Sequence, residues 1–272
     1  MPLIKANSIS IFYEVHGKGT PLVLISGLGG DHHFWQSSIQ LLSAFYQVIV
    51  FDTRGIGKTD TPESPYSVEL FAEDMAGLMD ALHIQKAHIL GFSMGGVIAQ
   101  AFAAMYPGKV AKLILAATFP VMNMQSRLFL DAVAAVYKNG ASAKEMFNLI
   151  LPWLFAPSFL SNPANAAFLQ FDEDEPEQQP LHAWLNQYDA MRNANTIPLL
   201  GSIHCPVLIV SAEQDRLAHV EDGNLLARHL KGAMFSVIKN SGHLMNFEQP
   251  EKFHAAIINF CGSRKLVTDQ RL

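Results

Sequence analysis

Only two of the 272 residues are cysteine, Cys205 and Cys261, so no disulfide framework and no cysteine-based zinc site is suggested, and a reducing compartment fits the chain. No stretch reaches about 18 uninterrupted apolar residues, which argues against a membrane-spanning helix. The first residues, Met1 to Asn7, pass directly into strand-like alternation without the charged start and long apolar run of a signal peptide, and the expectation is a cytoplasmic protein. Charge is sparse: 16% of residues are Asp, Glu, Lys or Arg, the net charge is −5, and the basic residues are scattered. That leaves no electropositive face for nucleic acid. No His-x-x-x-His or clustered carboxylate pattern suggests a metal, so no metal site is expected.

What the chain has in abundance is apolar residues, at 50%, enough to bury a large single core with a sizeable insertion. Strand signals fall at Leu3 to Ala6, Ile9 to Val15, Leu22 to Ile25, Val48 to Phe51, Ala87 to Leu90, Leu113 to Ala116, Val207 to Val210 and Met234 to Ile238. Amphipathic helical patterns alternate with them, near 33–45, 67–82, 94–106, 221–230 and 250–261. This alternation predicts an α/β fold with a mostly parallel sheet flanked by helices. Between Phe119 and Ile203 the alternation stops. That stretch is helical in pattern, rich in Met, Phe and Trp, and punctuated by Pro152, Pro157, Pro163, Pro176 and Pro180. We read residues 1–119 and 204–272 as the core and 120–203 as an inserted helical cap. The acidic run from Asp172 to Glu177 within it reads as a solvated loop or helix end.

The segment Ile89-Leu90-Gly91-Phe92-Ser93-Met94-Gly95-Gly96 runs from a hydrophobic strand through Gly-x-Ser-x-Gly into an alanine-rich helix. A strand turning that sharply into a helix leaves the serine at the apex with its hydroxyl pushed outward. Gly91 and Gly95 relieve the crowding, and the Met94 amide opens the helix where an oxyanion would form. A serine nucleophile needs a base and a group that orients the base. Asp215 follows the strand ending at Val210, and His243 follows Gly242 after the last strand, so Asp215 is the preferred acid and His243 the preferred base. Glu213 and Asp222 are the alternatives for the acid.

At this point the chain resembles the α/β-hydrolase superfamily, and within it the small cofactor-free esterase and enol-lactonase-like branch, over nearly its whole length outside the cap. The resemblance rests on Ser26-Gly27-Leu28-Gly29-Gly30, on Asp52-Thr53-Arg54-Gly55-Ile56-Gly57, on the Ser93 turn, on Ala212-x-x-Asp215 and on Gly242-His243. It implies an α/β-hydrolase fold, a Ser93–His243–Asp215 triad, an oxyanion hole from the Leu28 and Met94 amides, and no cofactor. Departures are Ser26 where the family usually carries His, Ala212 for Gly, and Lys58-Thr59 after the Arg-Gly turn.

These readings lead to a serine hydrolase of carboxylic esters or lactones with small to medium apolar substrates, its pocket drawing on Phe92, Met122, Phe129, Trp153, Trp184 and Leu244. Met124, Phe155, Phe168, Phe171 and Met191 read as cap core, with some residues of the cap turned to the pocket. Asp52 and Arg54 read as an ion pair bracing their turn. His32 and His33 read as solvated or hydrogen-bonded residues at a helix start. Gly27 to Gly30 lacks the Lys-Ser/Thr of a phosphate-binding loop and the dinucleotide glycine spacing. Rivals within the fold are a carbon–carbon bond hydrolase, whose relatives carry Trp where this chain has Leu244, and a cofactor-free perhydrolase, which Phe92 and Met94 match locally. Enzymes with Asp at the elbow are disfavoured by Ser93. A non-catalytic ligand receptor and a homo-oligomeric state are both compatible with the sequence.

Overall fold

A computed structural model describes residues 2–171 and 179–262; the acidic run at Asp172 to Glu177 lies outside the described residues. The strands are β1 (Leu3–Ala6), β2 (Ile9–His16), β3 (Pro21–Ile25), β4 (Gln47–Phe51), β5 (Ala87–Phe92), β6 (Val110–Ala116), β7 (Val207–Ala212) and β8 (Met234–Ile238). They form one sheet in the order β1-β2-β4-β3-β5-β6-β7-β8. The β1–β2 and β2–β4 pairs are antiparallel and the remaining pairs parallel.

The sheet is covered on both faces, which is why its central strands read as continuous apolar runs rather than alternating ones. Successive residues along a strand point to opposite faces, and the two cores divide accordingly. Val23, Ile25, Ile49, Ile89 and Leu113 join one core with helices α2 (Val68–Ala81), α3 (Met94–Met105) and α9 (Val220–His229). Leu22, Leu24, Val48, Leu90 and Ile114 join the other with α1 (Gln36–Leu42) and α11 (Pro250–Cys261). Cys261 closes α11, and both cysteines are free thiols.

The expected helix over 33–45 is shorter than its pattern. It opens as a 3-10 turn at His32–Trp35 and continues as α1 only to Leu42. Asp31 caps the turn through His33, and His32 is tied by both its amide and its ring to Asp52, so local anchoring sets the tighter winding. Between β6 and β7 the described residues are helical: α4 (Met124–Lys138), α5 (Ala143–Leu154), α6 (Pro157–Leu160), a 3-10 turn at Pro163–Leu169, α7 (Leu181–Asn193) and α8 (Ile197–Leu200). Three of the prolines noted in the sequence stand at element starts: Pro157 opens α6, Pro163 the 3-10 turn, and Pro180 caps α7. The last short helix, α10 (Met245–Glu248), precedes α11. Among the described residues no helix is long and apolar enough to cross a membrane.

The turn after β4 corrects one expectation. Asp52 and Arg54 do not brace each other. Asp52 Oδ1 accepts from the His32 amide at 2.7 Å and faces His32 Nδ1 at 2.8 Å, while Oδ2 accepts from the Lys58 amide at 2.9 Å. Arg54 reaches instead to α2, donating through Nε and Nη2 to the two carboxylate oxygens of Asp74 at 2.7 Å each. The chain leaves β4 at Asp52 and is already turning at Arg54, and each charge is taken by a different segment, Asp52 by the His32 turn and the Lys58 amide and Arg54 by α2. Gly57 has φ +58 and no room for a Cβ, which would overlap the Asp52 carboxylate.

Arg54 and Asp74 are 5% and 2% exposed, so truncating one leaves the other as a buried unpaired charge. Asp74→Ala is expected to cost about 3–5 kcal/mol of unfolding free energy, read from the urea midpoint at unchanged slope.

Candidate active site

Ser93 sits between β5 and α3 with φ +54 and ψ −119, a strained conformation for a residue with a side chain. Its own backbone is held on both sides: its amide donates to the Ala116 carbonyl at 2.9 Å, and its carbonyl accepts from Thr118 Oγ1 at 2.7 Å and from the Gly96 amide at 2.9 Å. A Cβ on Gly91 would overlap the Gly95 carbonyl, and one on Gly95 would overlap the Ile25 carbonyl. Helix α3 therefore starts in backbone contact with the sheet.

Asp215 and His243 meet beyond the carboxyl ends of β7 and β8. Asp215 Oδ1 accepts from the Leu217 and Ala218 amides at 2.8 and 2.9 Å, which leaves Oδ2 to face His243 Nδ1 at 2.8 Å. The two side chains are buried, at 6% and 3% exposure for the residues. An imidazole anchored through Nδ1 presents Nε2 on the far side of its ring. His243 and Ser93 line the same cavity of about 230 Å³. The alternatives for the acid are committed elsewhere. Glu213 accepts from the Asn240 amide, and Asp222 accepts from the His219 amide and Asn123 Nδ2.

The loop 26–30 lies across Ser93. A Cβ on Gly27 would come within 3.2 Å of the Ser93 Cβ, and Leu28 lines the cavity. Ser26 closes this loop on itself by donating through Oγ to the Gly30 carbonyl, a bond the local sequence did not announce. Met94 is the first residue of α3, so its amide has no acceptor one turn earlier.

From α7 the fully buried Gln187 holds the same loop against the β4 turn. Its Oε1 accepts from the Gly29 amide at 3.4 Å and from Gln179 Nε2 at 2.9 Å, and its Nε2 donates to the Arg54 carbonyl at 2.9 Å and to Thr53 Oγ1 at 3.2 Å. Sequence reading passed over Gln187, because a lone glutamine in an amphipathic helix carries no pattern.

Of the expected pocket residues, Phe92, Trp184 and Leu244 line the cavity, whereas Met122, Phe129 and Trp153 do not. Met122 is 7% exposed within the core shared with α3. Phe129 and Trp153 stack on each other with ring centroids 3.9 Å apart, so α4 and α5 use them as their mutual contact. Phe119, Leu130, Ile150, Leu154 and Met191 supply the wall in their place, with Phe34 from the turn before α1. Among the described residues no lysine or arginine lines this cavity. The indole Nε1 of Trp184 makes no hydrogen bond to the described residues and lies beside Gly29, 3.7 Å from where a Cβ would stand. Phe34, Leu154 and Leu244 also border an outer pocket of about 510 Å³, walled by Phe147, Phe155 and Phe247.

The side chains of Asp31, His32 and His33 come within 4.8 Å of one another. Asp31 is already spent on His33, through its amide and ring, and His32 Nδ1 on Asp52.

A family model described as the alpha/beta hydrolase fold matches residues 20–250. The chain belongs to this family. It is 29% identical to a protein of Azorhizobium caulinodans provisionally named carbamate hydrolase RutD, over 96% of this chain and 98% of that one. The crystal structure of the enol-lactonase from Burkholderia xenovorans LB400 superposes with a TM-score of 0.86 at 25% identity, covering 96% of this chain and 99% of that one. A thermophilic esterase from Thermogutta terrifontis, solved with malate bound, gives a TM-score of 0.84 at 26% identity, covering 96% and 98%. The α/β-hydrolase fold expected from the sequence is thus the fold observed.

Gln187→Leu keeps the bulk of the side chain, strands the buried Arg54 carbonyl and Thr53 Oγ1, and releases the exposed Gly29 amide. A loss of about 1–3 kcal/mol for each buried group left unpaired is expected, visible as a lowered melting temperature, whereas an unchanged melting temperature would show that water replaces Gln187 at no cost.

Proposed function

We propose that the protein is a serine hydrolase of carboxylic esters or lactones, with Ser93 as nucleophile, His243 as base and Asp215 as the group that orients it. The observation that carries this reading is the bond between His243 Nδ1 and an Asp215 oxygen whose sister oxygen is fixed by two amides, with His243 and Ser93 facing one cavity. Ser93 Oγ attacks the carbonyl carbon and its proton passes to His243 Nε2. The Leu28 and Met94 amides stabilise the oxyanion; a single donor of this kind is worth on the order of 3 kcal/mol. The tetrahedral intermediate collapses with cleavage of the bond to the leaving oxygen, which takes the proton from His243. Water, deprotonated by the same His243, then breaks the Ser93 acyl ester. In a lactone the leaving oxygen stays on the acyl chain.

The cap, residues 120–203, selects the substrate. The cavity beside Ser93 measures about 230 Å³ and is walled mostly by apolar side chains. Among the described residues its wall carries no lysine or arginine to pair with a carboxylate, so the acyl part is small, neutral and mostly apolar. The names of the relatives, an enol-lactonase, an esterase and a carbamate hydrolase, agree in acyl chemistry and differ in substrate. The protein then acts on a small molecule, in the cytoplasm and with no cofactor.

A p-nitrophenyl ester series from acetyl to long acyl chains tests this. Turnover is expected to peak at short chains, to vanish in Ser93→Ala, and to fall on the order of 10⁴-fold in kcat in Asp215→Asn, which holds the imidazole in the wrong tautomer. Full activity in folded Ser93→Ala would remove Ser93 from the reaction.

A further inference from the structure

The loop that carries His243 is not free-standing. One direct hydrogen bond and a bridge through the Glu248 carboxylate tie it to one segment, Leu154–Ala156, at the end of α5. The Leu244 amide donates to the Leu154 carbonyl at 3.0 Å. The Glu248 carboxylate accepts from the Gly242 amide through Oε1 at 2.8 Å, and from the Ala156 amide at 3.2 Å. Glu248 thereby holds the residue immediately before His243 and, at once, the extended residue Ala156 that follows α5. The contact is close as well as bonded: a Cβ on Gly242 would stand 2.6 Å from the Ala156 nitrogen and 2.7 Å from the Phe155 carbonyl carbon. Phe155 and Ala156 are buried, at 5% and 0% exposure, so the segment is wedged in place.

We propose that Glu248 is a positioning residue, and that with the Leu154–Ala156 segment it forms a strap that fixes the His243 loop for proton transfer with Ser93. The Asp215 carboxylate sets the rotation of the His243 ring, and the Gln214 amide, donating to the Ser241 carbonyl at 2.9 Å, holds the start of the loop to the turn after β7. The strap holds the residues on either side of His243, Gly242 and Leu244, from the α5 side. Leu154 gives the strap a second connection, since its side chain lines the cavity while its carbonyl holds Leu244. An acyl group filling the cavity therefore presses on the segment that holds the base, which couples occupancy to catalytic geometry. Displacements of about 1 Å in such a geometry can cost on the order of 10²-fold in rate.

The inference rests on the Ser93–His243 reading, and an alkyl fluorophosphonate separates the two. In its reaction a Ser93 Oγ–P bond forms, the P–F bond breaks, fluoride leaves, and the serine proton passes to His243. Labelling rates are compared for full-length wild type, Glu248→Ala, Glu248→Gln and Gly242→Ala, each checked by thermal melting, alongside kcat and KM for p-nitrophenyl acetate. Glu248→Ala and Gly242→Ala are expected to lower kcat and the labelling rate by on the order of 10²-fold with KM roughly unchanged. Glu248→Gln, whose carbonyl oxygen still accepts the Gly242 amide, recovers most of the rate. Folded Glu248→Ala labelled at the wild-type rate would overturn the strap while leaving the hydrolytic reading standing, as would equal losses in the Ala and Gln variants that simply follow their melting temperatures. A wild-type protein that is not labelled at Ser93 would overturn both.

Discussion

Helix α3 begins in backbone contact with the sheet, and most of the molecule is arranged around keeping it there. Gly91 and Gly95 have no space for a Cβ, and at Gly96 one would run into Thr118. The three glycines let the first turn of the helix settle against β3 and β5, and the strain of that approach is concentrated at Ser93, with its positive φ. Buried strands on either side hold the turn rigid, because β5 is flanked by β3 and β6 and its six residues are all buried. A surface loop would relax such a conformation. A turn bonded to Ala116 and Thr118 does not.

Around this fixed point the loops at the carboxyl ends of the strands are ordered by buried polar side chains rather than by more core. Asp52 gathers the His32 segment and the Lys58 amide, and burial pushes its carboxyl above the usual range against the pull of those bonds. Gln187 ties loop 26–30 to the turn after β4, and Glu248 ties the His243 loop to the end of α5. Glu248 too is raised by burial, with its two amide donors opposing. Each of these groups costs desolvation and recovers it only while every partner is in place, so each specifies one loop position. Backbone N–H groups receive most of this attention, as expected where loops must be as still as strands.

The fold was legible because its signals are repetitive. Strands such as Leu22 to Ile25 and Val207 to Val210 announce themselves as apolar runs, and the glycine spacing around Ser93 admits few backbones. Asp215 and His243 were legible because they stand directly after strands, where chain order alone brings them to one edge. The pocket was not. Phe129 and Trp153 have the composition of pocket residues but found each other, while Phe34 and Leu217, outside the stretch read as the pocket's source, line the cavity. Helix-to-helix packing decides such choices, and a periodic pattern gives a helix's apolar face without its neighbour. The Asp52–Arg54 pairing failed for a related reason: adjacency in sequence was taken for adjacency in space, and the arginine's partner stood on α2. Gln187 reaches the Gly29 amide and the Arg54 carbonyl, and Glu248 the Ala156 amide, all backbone groups of distant segments, and no side-chain motif marks such contacts.

The most direct test of the account is to trap the covalent intermediate. Incubation with p-nitrophenyl dimethylcarbamate, whose carbamoyl ester deacylates slowly, followed by peptide mass spectrometry, is predicted to find the carbamoyl group on Ser93 with p-nitrophenol released in equal amount. Release of p-nitrophenol with no adduct at Ser93, or with the adduct on another side chain, would contradict it.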